Sequence, residues 1–360
     1  MAEPSDKFFT NKIVEMYEEL NIELVSNIIK QLKETGDISS YTRAQIRQLI
    51  KRGGKAVFEQ SLDSMSNLSS KRKDELKRLF KEIVSEDMEQ YKKMYEYRDK
   101  KFALSASQYK LLNIAIKRCN KELKNFTKTV AFSNQQDFVN AVDNMYFQVV
   151  TGGLSFDETF RKTTNELAEK GTTLIMKNGK ERSLEASVRQ NVRTSIRDTA
   201  RSINKSIGKD LGCDGVQINI SPNCRPDHKV INGRVFKIKS KEWQKNKHLL
   251  DDYNCQHYET PIILDIEENM YSDSEINEAN NRVVKYKGKD VPYYEATQKQ
   301  RALEREIRNA KKMYATLEKS QVDTTEARQK VSSAQKKMRN FIKETGLERD
   351  YLRERYAGYN

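Results

Sequence analysis

Cysteine and histidine are the side chains best suited to hold a soft metal ion or to supply a nucleophile with its base, and this 360-residue chain concentrates them in one segment. All three histidines and three of the four cysteines fall between Cys213 and His257. Four of them form two close pairs, Cys224-x3-His228 and Cys255-x-His257, separated by a stretch long enough to fold back on itself. A tetrahedral zinc site requires two such pairs of thiolate and imidazole donors. With Cys224, His228, Cys255 and His257 as ligands, and Cys213 a less convenient substitute, the shell is closed. Such an ion staples a module and leaves no position for an activated water. The spacing is irregular and lacks the two-residue gap of a CxxC knuckle, so a second reading stays open, in which the cysteines are small buried hydrophobes and the histidines hydrogen-bonded loop residues.

Two other constellations can do chemistry. Two residues apart in an extended strand, Cys255 and His257 project to the same face, the arrangement of a thiol nucleophile beside its base. No Gly-rich phosphate loop, GxSxG elbow or HExxH helix accompanies them, so the chain is read as a non-enzyme. Arg189, Arg193, Arg197 and Arg201 recur every four residues, and four guanidinium groups on one face can clamp phosphates bidentately. The alternative is a solvated face paired to Glu185 and Asp198. The formal net charge of +14 attracts polyanions such as nucleic acid or acidic protein surfaces. Lys and Arg are interleaved with Glu and Asp nearly everywhere, which points to non-specific phosphate contact and not to sequence recognition.

These groups need elements to position them. From Asn11 to Lys33 the residues Ile13, Met16, Tyr17, Leu20, Leu24, Ile28 and Leu32 recur at steps of three and four, which predicts a helix with one apolar stripe. Thr42 with Gln45, Ser105 with Gln108, Ser133 with Gln136 and Ser155 with Glu158 have the capping-box spacing, so a helix start is expected at each. A highly charged segment from about Lys71 to Phe102 carries Leu76, Leu79, Phe80, Ile83, Met88, Tyr91 and Tyr95 at mostly helical spacing and reads as a long helix linking two bodies. Gly152 and Gly153 end the next helix. Asn178-Gly179 predicts a hairpin turn, because both central positions of such a turn need positive φ.

Helix returns from Ser183 to Lys209, with Val188, Val192, Ile196, Ile203 and Ile207 on one side and the arginine row beside them. Gly208, Gly212 and Gly215 close it. Val216 to Ile220 and Gly233 to Ile238 alternate as strands, which places the Cys/His cluster in a small, loop-rich α+β module. Beyond Pro292, Leu303, Ile307, Ala310, Tyr314 and Leu317 and then Ala327, Val331, Ala334, Met338 and Phe341 repeat the same steps, with Asp323 and Glu326 as a cap between them. The expected fold class is mainly α, with long helices, an embedded small α+β module and a C-terminal antiparallel helical hairpin. The division expected is an N-terminal helical region over 1–104, a core carrying the hairpin and the Cys/His module over 105–292, and the helical hairpin over 293–360. Cys119 stands alone on a predicted helix, so the four cysteines do not suggest a secreted disulfide framework, and a reducing compartment is expected. No stretch approaches the roughly 18 apolar residues that span a bilayer, and no signal peptide pattern opens the chain, so a soluble protein with no membrane partner is expected.

Three blocks carry a resemblance: Cys224-Arg-Pro-Asp-His-Lys-Val-Ile-Asn-Gly-Arg-Val-Phe, Tyr253-Asn-Cys-Gln-His, and Tyr294-Glu-Ala-Thr-Gln-Lys-Gln-Arg-Ala-Leu-Glu-Arg-Glu-Ile-Arg. In order and rough spacing they resemble the minor capsid protein 2 family of tailed bacteriophages, which is related to the Mu F-like head morphogenesis proteins. Val149-Val-Thr-Gly-Gly-Leu-Ser-Phe, Asn178-Gly-Lys and Arg189-Gln-Asn-Val-Arg-Thr-Ser resemble its helical part. The resemblance covers roughly Lys100 to the end, with a looser fit before it. It implies a structural, low-copy virion protein inside the head near the portal, active in head assembly in the host cytoplasm. The implied partners are portal protein, major capsid or scaffold protein, and packaged double-stranded DNA held without sequence preference. His228, Asn254, Cys255 and His257 fall on the family's RPxH and NCxH positions. The chain departs from the family at Cys224, usually a small residue, at Gln256, usually basic, and at Lys247-His-Leu-Leu-Asp-Asp, which replaces a glycine-rich loop. Cysteine pairs in Mu F-like modules make Cys224 resemble a regained ligand. The alternative is a zinc-stabilised, non-specific DNA-binding protein acting outside the particle.

Overall fold

The computed structural model describes residues 6–175, 179–252, 255 and 257–359. Asn178, Tyr253, Asn254 and Gln256 lie outside them, so neither the tip of the predicted hairpin nor the family position at Asn254 is characterised. About 70% of the chain is helical, with a few small antiparallel sheets, in agreement with the expected fold class.

Three long helices build the body: α1 (Asp6–Glu34), α2 (Arg43–Glu89) and α4 (Ala106–Val150), with the short α3 (Lys92–Tyr97) between the last two. The stripe read from α1 is buried, Ile13, Tyr17, Leu24, Ile28 and Leu32 all being almost fully enclosed. The capping boxes at Thr42, Ser105 and Ser155 form as expected and start α2, α4 and α5 (Phe156–Lys170). The one at Ser133 does not form. Ser133 lies buried within α4, where Val130, Ala131, Asn134 and Phe138 all face the interior, and that burial keeps the chain helical through a spacing that elsewhere marks a start.

The charged segment after Lys71 is not a free link between bodies. It is the second half of α2 followed by α3, and Leu76, Leu79, Phe80, Ile83, Met88, Tyr91 and Tyr95 join one core with Ile13, Tyr17, Leu20 and Leu24 of α1. Its charges form the outer face of a helix whose inner face is fully used.

A two-stranded hairpin, β1 (Thr173–Ile175) with β2 (Glu181–Ser183), follows α5, and Gly179 takes φ +76° beside its tip. The helix α6 (Leu184–Leu211) then adds Val188, Val192, Ile196, Ile203 and Ile207 to the same core. A three-stranded antiparallel sheet comes next, ordered β4 (Val235–Lys237), β3 (Gly215–Ile218), β5 (Glu259–Ile262). The short α7 (Lys241–Asn246) lies between β4 and β5 and buries Trp243 against Phe236, ring centroids 5.3 Å apart. After α8 (Asp273–Asn281), a hairpin of β6 (Val283–Tyr286) and β7 (Lys289–Pro292) leads into α9 (Tyr293–Lys319) and α10 (Thr325–Thr345), which pack together as expected. Ile307, Ala334, Met338 and Phe341 fill the seam. The capping box predicted at Asp323 is not made: Asp323 accepts from the Thr325 backbone N–H at 3.0 Å, but Glu326 turns away to accept from Asn165 of α5 at 2.7 Å. The short α11 (Tyr351–Glu354) returns the chain to α9.

Candidate metal centre and its arginine-lined cavity

The register of the central sheet explains how distant pairs meet. β3 is flanked on one side by β4, with Val216 opposite Phe236, and on the other by β5, with Ile218 opposite Glu259. Cys224 and His228 follow the end of β3, and Cys255 and His257 precede the start of β5. Since Ile218 and Glu259 are paired, both segments leave the sheet at the same end. A 3-10 turn over Pro226–His228, begun by a proline whose fixed φ suits its first position, presents His228 inward. Gly208 of α6 lets β5 approach closely: a Cβ there would stand 2.7 Å from the Cβ of Pro261.

Three ligand atoms converge. Cys255 Sγ lies 3.5 Å from His228 Nδ1 and 3.6 Å from His257 Nδ1, and the two Nδ1 atoms are 3.5 Å apart. Zinc bonds of about 2.0–2.1 Å to nitrogen and about 2.3 Å to sulfur set tetrahedral neighbours about 3.4 Å apart for two nitrogens and about 3.6 Å for nitrogen and sulfur. The trio therefore has the edge lengths of one face of a zinc tetrahedron. All three residues are buried.

The far side of each ring is held as well. His257 Nε2 lies 3.0 Å from Asn232 Oδ1, which also accepts from the Ser221 backbone N–H at 2.7 Å. That backbone donor identifies the amide oxygen, so His257 carries its proton on Nε2 and turns a bare Nδ1 to the trio. His228 Nε2 lies 3.0 Å from Asp252 Oδ2, and the Arg225 guanidinium touches both that nitrogen and, at 2.7 Å, the same carboxylate oxygen. With a metal on Nδ1, Nε2–H would donate to Asp252 in the carboxylate–histidine–metal arrangement, and the Arg225 guanidinium would pair with the carboxylate alone. The hydrogen bond to His228, and then Arg225, hold the Asp252 carboxyl below its ordinary range.

Burial, then the neighbouring His228, pushes His257 down to about 4, and burial pushes the Cys255 thiol up. A raised thiol is the opposite of an activated nucleophile, and it leaves the thiolate to be stabilised by the charge of a bound cation. Cys224 is buried on the wall of the same cavity, with its thiol pushed up to about 12 by burial and then by Cys255, and its Sγ contacts its neighbour's carbonyl, Arg225 O, at 3.2 Å. It does not join the three converging atoms. Cys213 is away from them, with its Sγ 3.8 Å from Met94 Sδ. Asn232 and Asp252 were not singled out from the sequence, since nothing in their spacing marks them as supports.

The arginine row lies along α6 half-buried, not fully solvated. Arg189 reaches Glu185 at 3.1 Å and Glu18 at 3.4 Å, Arg197 reaches Asp198 at 3.3 Å, and Arg201 reaches Asp251 at 2.6 Å. Glu185 and Asp198 are the partners the solvated-face reading names. Arg189 and Arg193 open on a cavity of about 580 Å³ that also borders Cys224, Arg225, His228, Cys255 and His257, and whose other walls come from Arg182 of β2 and from α9 and α11. Arg301, Arg305 and Arg308 of α9 face it, a spacing of four and three that is visible in the sequence beside the better-marked α6 row.

The family profile described as phage minor capsid protein 2 matches residues 6–343, nearly the whole chain. The chain belongs to that family. This minor capsid protein is accordingly a structural component of a phage capsid and resides in the virion. The match extends through α1 and α2, where the resemblance of the motifs is looser. No curated protein and no solved structure matches it. Among the described residues, no helix is long and apolar enough to cross a membrane.

Proposed function

We propose that this minor capsid protein lies inside the head near the portal, where a zinc-stapled Cys/His module anchors helical faces that dock on the portal protein and on major capsid or scaffold protein. The observation that carries the reading is the convergence of Cys255 Sγ and the two Nδ1 atoms, each ring supported from behind by Asp252 or Asn232. Cys224 completes the shell by a side-chain movement from the cavity wall. The ion would tie together two loops that flank the small core around Trp243, adding to the hydrogen bonds that Asn232 makes between them. The net charge of +14 suits a protein packed beside concentrated double-stranded DNA, where phosphate contacts release counterions without reading sequence. On this reading Arg193, Arg197 and Arg201 contribute phosphate contacts together with Arg189, and Arg189, Arg197 and Arg201 exchange part of their carboxylate pairing for the polyanion.

Elemental analysis of protein purified without a metal-affinity step tests the staple: about one zinc per chain is expected, and less than about a tenth of an equivalent overturns it. Co-sedimentation with portal-containing proheads at moderate salt, absent with proheads lacking portal, tests the location. The alternative, a zinc-stabilised non-specific DNA-binding protein acting outside the particle, draws on the basic cavity. Strongly salt-dependent binding to arbitrary duplex DNA with no prohead association would replace the capsid-interior reading with it.

A further inference from the structure

The cavity beside the trio carries more positive charge than its own carboxylates compensate. Eight arginines border it against two carboxylates, Glu185 and Glu304. Both carboxylates are already engaged, Glu304 by Arg353 at 2.8 Å and Glu185 by Arg189 at 3.1 Å and Arg308 at 3.5 Å. Arg301 has neither hydrogen bond nor ion pair among the described residues, although it is half-buried and faces the charges of Arg353 and Arg193, which outweigh the attraction of Glu304. Burial, then Arg353 and Arg193, pushes Arg301 down to about 10. Arg189 likewise keeps a buried Nε without an acceptor. Holding a partly desolvated guanidinium against like charges costs stability, and a chain that keeps one has left its donors for something else.

We propose that this cavity is a phosphate-binding site that takes a nucleotide-sized ligand bearing two or more phosphoryl groups, with Arg301 at its centre and Arg193, Arg305 and Arg353 around it. Guanidinium forks match phosphate oxygens bidentately and remain charged at any physiological pH. A space of about 580 Å³ is in the range of small-ligand pockets and is enclosed by helices on two sides, so it admits a strand end or a free nucleotide and not an uninterrupted duplex. The proposal deepens the nucleic-acid reading but does not rest on the whole α6 row. Arg197 and Arg201 do not line the cavity, and Arg301, Arg305 and Arg353 come from other helices.

The test is calorimetric titration of the full chain with sodium tripolyphosphate, with ATP and with a 5′-phosphorylated single-stranded hexanucleotide, alongside thermal melts. Wild-type protein is expected to bind tripolyphosphate and to melt higher in its presence, and Arg301→Gln to weaken binding by about tenfold or more, the scale of one charge-assisted hydrogen bond. Arg301→Gln is also expected to melt no lower than wild type without ligand, because it removes a repelled charge; a purely structural arginine would give the reverse. The variant leaves the Cys/His trio intact, so equal binding by variant and wild type assigns the anion to a metal or to general charge and overturns the proposal. Flat titrations with all three ligands overturn it too. Hexanucleotide competing with tripolyphosphate assigns a strand end as the source, and binding of ATP and tripolyphosphate without the oligonucleotide assigns a free nucleotide or polyphosphate. Loss of duplex binding in Arg197→Gln/Arg201→Gln with tripolyphosphate affinity unchanged separates the outer row from the pocket, so either can fail without the other.

Discussion

Asn232 is completely buried and its side chain makes four hydrogen bonds: it accepts from the Ser221 N–H and from His257 Nε2, and donates to Ser221 O at 3.3 Å and Asn280 Oδ1 at 2.8 Å. Asn232→Ala strands two buried donors, the Ser221 N–H and His257 Nε2–H. Each buried group left without a partner costs about 1–3 kcal/mol, so the module should lose about 2–6 kcal/mol. Losing the support behind His257 should also weaken metal binding by about 10- to 100-fold. The chain supplies its own reporter, because its single tryptophan, Trp243, packs in the same small core as Cys255. Urea unfolding followed by tryptophan fluorescence should show a midpoint lower by about 2 M for a small unit, while far-ultraviolet circular dichroism in native buffer stays near wild type. Asn232→Asp keeps the acceptor and loses the amide donor, so an intermediate midpoint is expected. A tryptophan midpoint for Asn232→Ala within about 0.3 M of wild type, with and without chelator, would refute the claim that this amide holds the site together.

Three further outcomes follow. A chelator should lower the tryptophan midpoint of wild-type protein, and added zinc at about 100 times its dissociation constant should restore about 2.7 kcal/mol; Cys255→Ser should abolish that response, which a metal-independent module would keep. Gly208→Ala sets a methyl group 2.7 Å from the Cβ of Pro261, so α6 and β5 must separate at a cost of about 1–3 kcal/mol, read as a lower melting temperature; an unchanged melt would mean that the contact is slack. Glu18 is buried, and burial, then the Glu185 charge, raises its carboxyl to about 8, so it folds in its protonated form. A raised folded value contributes stability that is complete below about pH 4.5 and is lost as pH rises towards 8. Glu18→Gln should therefore be relatively more stable than wild type at pH 9 than at pH 5, and parallel stability–pH curves for the two proteins would contradict this.

Much of the helical frame was legible in the chain. The stripes of α1, α6, α9 and α10 are local properties, because a buried helical face must repeat every three or four residues whatever it packs against. Capping boxes were legible for the same reason at Thr42, Ser105 and Ser155. Ser133 shows the limit, since its spacing is that of a cap and only its burial against the body decides that the helix runs on. The strands β5, β6 and β7 and the helix α8 are too brief to show a period; Ser272 with Glu275 is a complete capping box at the start of α8, but Ile276 is the one buried residue behind it, so no apolar stripe marks the helix.

The sequence by itself determined that the protein is mainly helical and basic, that its metal-competent groups fall in two pairs, and to which family those pairs point. Only the tertiary structure decided that three of the four candidate ligands converge while Cys224 stays on the cavity wall, that Asn232 and Asp252 hold the two imidazoles, and that arginines from α6, α9 and α11 face one space. The physical reason is distance along the chain. Periodicity and capping act within one or two turns, whereas convergence depends on the register that sets Ile218 opposite Glu259 and on the packing of helices far apart in sequence.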